Sequence, residues 1–251
     1  MAKVNVLVLR GPGTNCDQET AFAFQQAGAV TSVCHINSLI RHERRLVDYQ
    51  VLVIPGGFSY GDDIGAGKVL ANELKLKLGE DIQLFVNNGG LILGICNGFQ
   101  VMAKAGILPD IRQPAGPPLT LGTNDSGRFE CRWVHLVTDK KSPCVFTQGI
   151  DSMYLPIAHG EGKVITDMRG LREIKAALYY TDESGNIQAG YPDNPNGSMN
   201  NIAGVCDATG RIFALMPHPE RFCIPEQAPA QHRFPEAFGN AVFKNMIDYF
   251  K

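Results

Sequence analysis

The sequence predicts an α/β fold built on a largely parallel sheet, and two features of its patterning carry that prediction. The N-terminal half alternates short β-branched runs with stretches of helical spacing, the pattern of strands joined by crossover helices. Beyond Pro109 the texture becomes β-rich, so further strands are expected to extend the structure past its helical half. Size bounds the result: 251 residues with 44% hydrophobic content can bury a full core, and residues 1–251 are read as one domain.

The elements follow in chain order. Val4–Leu9, broken only by Asn5, and Val51–Ile54 are apolar runs and read as buried strands, with helices over Asp17–Ala27 after the first and Lys68–Leu78 after the second. Leu91–Ile95 is a further strand, feeding a helix over Asn97–Ala105 that Gly106 and Pro109 stop. Residues 114–118 form a Pro/Gly loop, followed by strand-like pieces at Phe129–Thr138, Ala176–Tyr180, Ile202–Asp207 and Arg211–Met216. Asp207-Ala-Thr-Gly-Arg211 has the composition of a hairpin turn joining the last two. A closing helix presents Val242, Phe243, Met246, Ile247 and Phe250 on one apolar face.

Composition excludes several classes of function. A net charge of −2 without a block of like charges argues against a generic nucleic-acid or anionic-membrane surface. No stretch reaches the roughly 18 uninterrupted apolar residues of a membrane span, and Met1-Ala-Lys-Val-Asn-Val lacks the apolar region of a signal peptide, so a cytoplasmic protein is expected. The seven cysteines, at 16, 34, 96, 131, 144, 206 and 223, are odd in number and form no C-x-x-C pair, which reads as reduced thiols without zinc. Six are expected to be inert buried side chains.

Cys96 is the exception. Gly94-Ile-Cys96-Asn-Gly98 follows an apolar strand and opens a helix, the spelling of a nucleophile elbow, in which glycines two residues either side let a crowded turn present the nucleophile. A cysteine nucleophile needs a base and a group that orients the base. Two stretches offer both, His218-Pro-Glu220 after the strand ending Phe213-Ala-Leu-Met216, and His159-Gly-Glu161 after Met153–Ala158. Pro219 restricts His218 to an extended backbone and stiffens the turn, which favours His218. His35, His42, His135 and His232 have no comparable setting.

Pro55-Gly56-Gly57 leaves a strand with backbone N–H groups able to stabilise an oxyanion. Gly61 to Gly67-Lys68 superficially resembles a phosphate-binding P-loop, but five residues separate the glycines and Val69 replaces the hydroxyl, so no nucleotide site is read there. Arg10-Gly-Pro-Gly13 lacks a third glycine and reads as a turn.

With these motifs in this order the chain resembles the class I glutamine amidotransferases, whose triad is Cys-His-Glu. Pro55-Gly-Gly-Phe-Ser-Tyr-Gly-Asp62, Gly94–Gln100, Pro156-Ile-Ala-His-Gly-Glu-Gly162, Asn196-Gly-Ser198 with Ile202–Val205, and Met216-Pro-His-Pro-Glu-Arg221 are similar to the glutaminase subunits of phosphoribosylformylglycinamidine synthases. The resemblance implies a three-layer, flavodoxin-like sheet, mostly parallel, with helices on both faces and an antiparallel extension. It implies Cys96, His218 and Glu220 as catalytic residues, Gly57 and Asn97 as the oxyanion hole, and Gln100 and His159 as substrate contacts. L-glutamine would be hydrolysed to glutamate through a cysteinyl thioester, with ammonia passed to a synthetase partner. ATP and Mg2+ are expected in that partner, no cofactor or metal in this chain, and a small bridging subunit is a further candidate partner.

Asn194–Ser198 and Asn124–Phe129 look like the fused form of the enzyme, and the segment 223–238, with Pro225, Pro229 and Pro235, is longer than the small subunits lead one to expect. Two other readings share the motifs: a stand-alone Cys-His-Glu hydrolase acting on peptides or γ-glutamyl compounds, and an inactive scaffolding subunit, against which the intact Cys96, His218 and Glu220 argue.

Overall fold

The computed structural model describes residues 3–113, 118–230 and 234–251. His232 and all but the last residue of the expected Pro/Gly loop at 114–118 lie outside the described residues. In chain order the elements are β1 (Asn5–Arg10), α1 (Asp17–Gln26), β2 (Val30–His35), α2 (Ile36–Ile40), β3 (Val51–Ile54), α3 (Lys68–Lys77), α4 (Gly79–Asn87), β4 (Leu91–Ile95) and α5 (Asn97–Ala105). There follow β5 (Thr120–Thr123), β6 (Glu130–Thr138), β7 (Ser152–His159), β8 (Glu161–Ile165), α6 (Gly170–Glu173), β9 (Lys175–Thr181), β10 (Ile202–Cys206), β11 (Ile212–Leu215) and α7 (Gly239–Asp248).

One nine-stranded sheet runs β2-β1-β3-β4-β11-β10-β9-β6-β7. The first five strands are parallel, and the remaining four continue it as an antiparallel extension. β5 and β8 form a separate antiparallel pair. Every residue of β3, β4 and β11 is buried, which is why these strands read as unbroken apolar runs: layers on both faces leave no side for polar residues. The helices that pack together are α1 with α7, where Phe24 meets Phe243 edge-on at 5.0 Å, and α3 with α5. Strand order reverses beside β1, so right-handed crossovers put the two groups on opposite faces. The same reversal opens a crevice at the carboxyl ends of the strands.

The hairpin turn expected at 207–211 is held by Asp207, whose carboxylate accepts from the N–H groups of Arg211 (3.0 Å) and Ile212 (3.1 Å). β2, β5 and β8 were not expected from the sequence. β2 is an edge strand with only Cys34 buried, so it carries no apolar run, and β5 and β8 pair with each other outside the main sheet. Among the described residues no helix is long and apolar enough to cross a membrane.

Candidate active site

The turn between β4 and α5 is forced by close packing. A Cβ at Gly98 would lie 1.9 Å from the carbonyl oxygen of Ile54, and one at Gly94 would lie 2.4 Å from Met102 Sδ, so neither position accepts a side chain without displacing a neighbour. Cys96 between them has φ of 52° and ψ of −106°, a conformation that costs a non-glycine residue roughly 1–3 kcal/mol and persists only where its surroundings enforce it. Its N–H is anchored to Leu215 O on β11 at 2.8 Å. The sulfur sits at the positive end of α5, 3.6 Å from Ala158 O.

His218 leaves β11, the strand beside β4. Pro219 opens a 3₁₀ turn over Pro219–Arg221 that carries Glu220 back under the imidazole, where Nδ1 meets Glu220 Oε1 at 2.6 Å. The His218 backbone, at φ −107° and ψ 88°, lies outside the α region that its proline disfavours, and its N–H is tied to Pro156 O on β7. Burial works against a charged imidazole, but the charges of Glu220 and Cys96 outweigh it and hold the pKa well above the ordinary histidine value. Nε2 has no hydrogen-bond partner among the described residues.

The other His-x-Glu stretch is built differently. Glu161 turns to Lys104 on α5, with Nζ to Oε1 at 2.7 Å, and leaves His159 without its own carboxylate. His159 Nδ1 instead meets Asn124 Oδ1 at 3.1 Å. Asn124 Nδ2 donates to the carbonyls of Arg128 and His159, so its Oδ1 is the acceptor end, and His159 must carry its proton on Nδ1 with a bare Nε2. Burial, then the charge of His218, pushes the His159 pKa down to about 3, which keeps it neutral.

Cys96 and His159 line one pocket of about 330 Å³ with Gly57, Gln100 and Glu161, and the rings of Phe58 and Phe129 lie at its edge with centroids 6.3 Å apart. Larger hollows of about 470 and 910 Å³ lie elsewhere, and neither is lined by a cysteine or a histidine. Asn97 supplies the first N–H of α5, and its side chain fixes the neighbouring loop by accepting from Ser59 N at 3.1 Å. Both ends of the Gln100 amide are engaged: Oε1 accepts from Asn97 Nδ2, and Nε2 donates to Glu161 O, which ties α5 to the start of β8. Asp62 holds the turn by accepting from Gly67 N, and Tyr60 donates to Glu73.

Cys16 and Asn124 were missed in the sequence. Cys16 is buried, as expected, but its Sγ lies within 4.8 Å of polar side-chain atoms of His218 and Glu220. Cys131, also expected to be buried, is exposed on β6. The Asn194–Ser198 stretch is an internal knot in which Asn196 Nδ2 donates to Gly162 O. Phe234 and Phe238, from the 223–238 segment, pack on Phe222.

The model of the CobB/CobQ-like glutamine amidotransferase domain matches residues 3–250. The phosphoribosylformylglycinamidine synthase subunit PurQ of Dehalococcoides mccartyi is 52% identical, with 99% of this chain and 98% of the relative covered. Its counterpart in Pyrococcus furiosus is 38% identical, with 99% of each covered. Among solved structures, that of PurLQS from Thermotoga maritima matches with a TM-score of 0.78 and 31% identity, covering all of both chains. A glutamine amidotransferase from the same organism, at 17% identity and a TM-score of 0.53 with 88% of this chain and 77% of the other covered, shares the fold.

Proposed function

Because the chain belongs to the CobB/CobQ-like glutamine amidotransferases, we infer that it is the glutaminase subunit of a phosphoribosylformylglycinamidine synthase, releasing ammonia from L-glutamine for de novo purine synthesis. The observation that carries this reading is the 2.6 Å His218–Glu220 contact beside the Cys96 elbow, in a chain similar to PurQ subunits over nearly its whole length.

Cys96 Sγ attacks the side-chain amide carbon as His218 takes the thiol proton. The sulfur–carbon bond forms, the carbon–nitrogen bond breaks, and His218 returns the proton to the departing nitrogen, which leaves as NH3. Water then attacks the thioester, gives its proton to His218, and releases glutamate and the free thiol. Glu220 fixes the Nδ1–H tautomer and supports the imidazolium. The N–H groups of Gly57 and Asn97 hold the tetrahedral oxyanion, each contributing roughly 3 kcal/mol. Gln100 and His159 border the substrate, and the bare His159 Nε2 offers an acceptor to its amide. The chain works as one domain in the cytoplasm, bound to a synthetase and to a small third subunit, like the PurLQS assembly. ATP and Mg2+ belong to the synthetase.

The test is reconstitution with that partner. Cys96→Ala should abolish glutamine-dependent synthesis and leave ammonia-dependent synthesis intact, and loss of both would sink the division of labour. Glutamine hydrolysis should also be weak until the synthetase is added.

A further inference from the structure

The mechanism leaves one buried group beside the triad unused. Cys16 closes the loop after β1, its N–H bonded to Gly56 O at 3.2 Å, and its Sγ lies within 4.8 Å of a ring nitrogen of His218 and a carboxylate oxygen of Glu220. A Cβ at Gly56 would touch both, at 2.9 Å from His218 Cε1 and 3.1 Å from Cys16 Sγ. Beside the His218 ring, the sulfur accepts from Arg221 Nη2 at 3.1 Å and donates to Asn15 Oδ1 at 3.2 Å.

Glu220 is fully buried, with Oε1 engaged by His218 and Oε2 without a hydrogen-bond partner among the described residues. Arg221, the next residue, is near enough for the Glu220 charge to act on it, yet its guanidinium rests on sulfur. A guanidinium prefers a carboxylate to a thiol. We propose that Cys16 is a positioning residue that holds Arg221 away from Glu220 Oε2 and so reserves the carboxylate for His218.

The consequence concerns the imidazolium that forms when Cys96 gives up its proton. Glu220, Cys96, Cys16 and His159 are the titratable groups facing His218. Glu220 is the carboxylate among them. If Arg221 captured Oε2, that anion would be neutralised and His218 would lose its proton at lower pH. The basic limb of the pH profile reports this loss.

This rests on Cys96, His218 and Glu220 being the triad, so Cys96→Ala is run in parallel: retained glutamine hydrolysis there would remove the premise whatever Cys16 does. In the synthetase complex, Cys16→Ala should lower kcat for glutamine about tenfold with KM within ~2-fold, and move the basic limb down by roughly half to one pH unit. Cys16→Ser keeps an acceptor for Arg221 and should stay within ~3-fold of the wild type. Cys16→Ala combined with Arg221→Gln should recover most of the lost turnover, because no cation is left to capture Glu220. Cys16→Val, close in volume but unable to accept, repeats the test if alanine leaves the chain unfolded. An unchanged basic limb in Cys16→Ala or Cys16→Val, or a double variant no better than the single one, would overturn the assignment.

Discussion

After β11 a histidine turns Nδ1 to its own glutamate at 2.6 Å, whereas after β7 a histidine with the same His-x-Glu spelling turns Nδ1 to Asn124 at 3.1 Å and leaves its glutamate to Lys104. The intervening residue sets the difference. Pro219 starts a 3₁₀ turn that brings Glu220 beneath the ring, whereas Gly160 links the ends of two strands and Glu161 emerges facing α5. One stretch therefore holds a histidine that favours its charged form, and the other a histidine kept neutral. Two residues of matching type and spacing do not by themselves make a His–Glu pair; the backbone between them does.

The sharpest way to break this comparison is to exchange the burden of catalysis. His218→Asn should lower single-turnover thioester formation by roughly a thousandfold or more, and His159→Asn by no more than about thirtyfold, since it removes a substrate contact and not the base. A larger loss at 159 would reverse the assignment.

The second test uses pH. The two histidines should give stability slopes of opposite sign. His218, with its raised folded pKa, adds stability that is fully present below the unfolded value of 6.5 and is lost as pH rises through the folded pKa. His159 has a depressed folded pKa, so the unfolded chain gains a proton that the folded chain refuses, and stability falls from pH 6.5 down to about 3. The span corresponds to at most roughly 5 kcal/mol at the acid end. Urea titrations across that range should show the fall in the wild type and a flatter response in His159→Asn; an equally steep response would mean that other groups dominate acid unfolding.

Most of the frame was legible in the sequence because its signals are local. β3 and β4 fall on their expected residues, since their apolar runs are buried on both faces and bordered by turn residues, Pro55-Gly56-Gly57 after β3 and Gly89-Gly90 before β4. α5 and its elbow were legible for the same reason, with Gly94 and Gly98 marking contacts that no other residue fits. β2 was illegible because an edge strand with one buried side chain has no period to read. Cys16 and Asn124 escaped because their roles lie in partners brought near by topology: Cys16 Sγ meets Arg221, 205 positions away, and Asn124 meets His159 across 35. The proline of His218-Pro-Glu220 was the one sequence signal that separated the two candidates.

The smallest expected effect sharpens the role of the second glutamate. Glu161 is a partly buried partner for Lys104, which also donates to Ala66 O at 2.6 Å, so the pair pins α5 to the loop before α3 and to the start of β8. Glu161→Gln keeps an acceptor for Lys104 and removes the charge. The ion pair retains solvent exposure on both sides, so the substitution should cost about 1 kcal/mol or less and lose much of its effect at high salt. Glu220→Gln leaves the His218 imidazolium without a fixed anion and should reduce kcat at least tenfold more than Glu161→Gln does. Measuring both variants in the synthetase complex separates a carboxylate that fastens the pocket wall from one that tunes the base, and equal losses in kcat would erase the distinction between the two stretches.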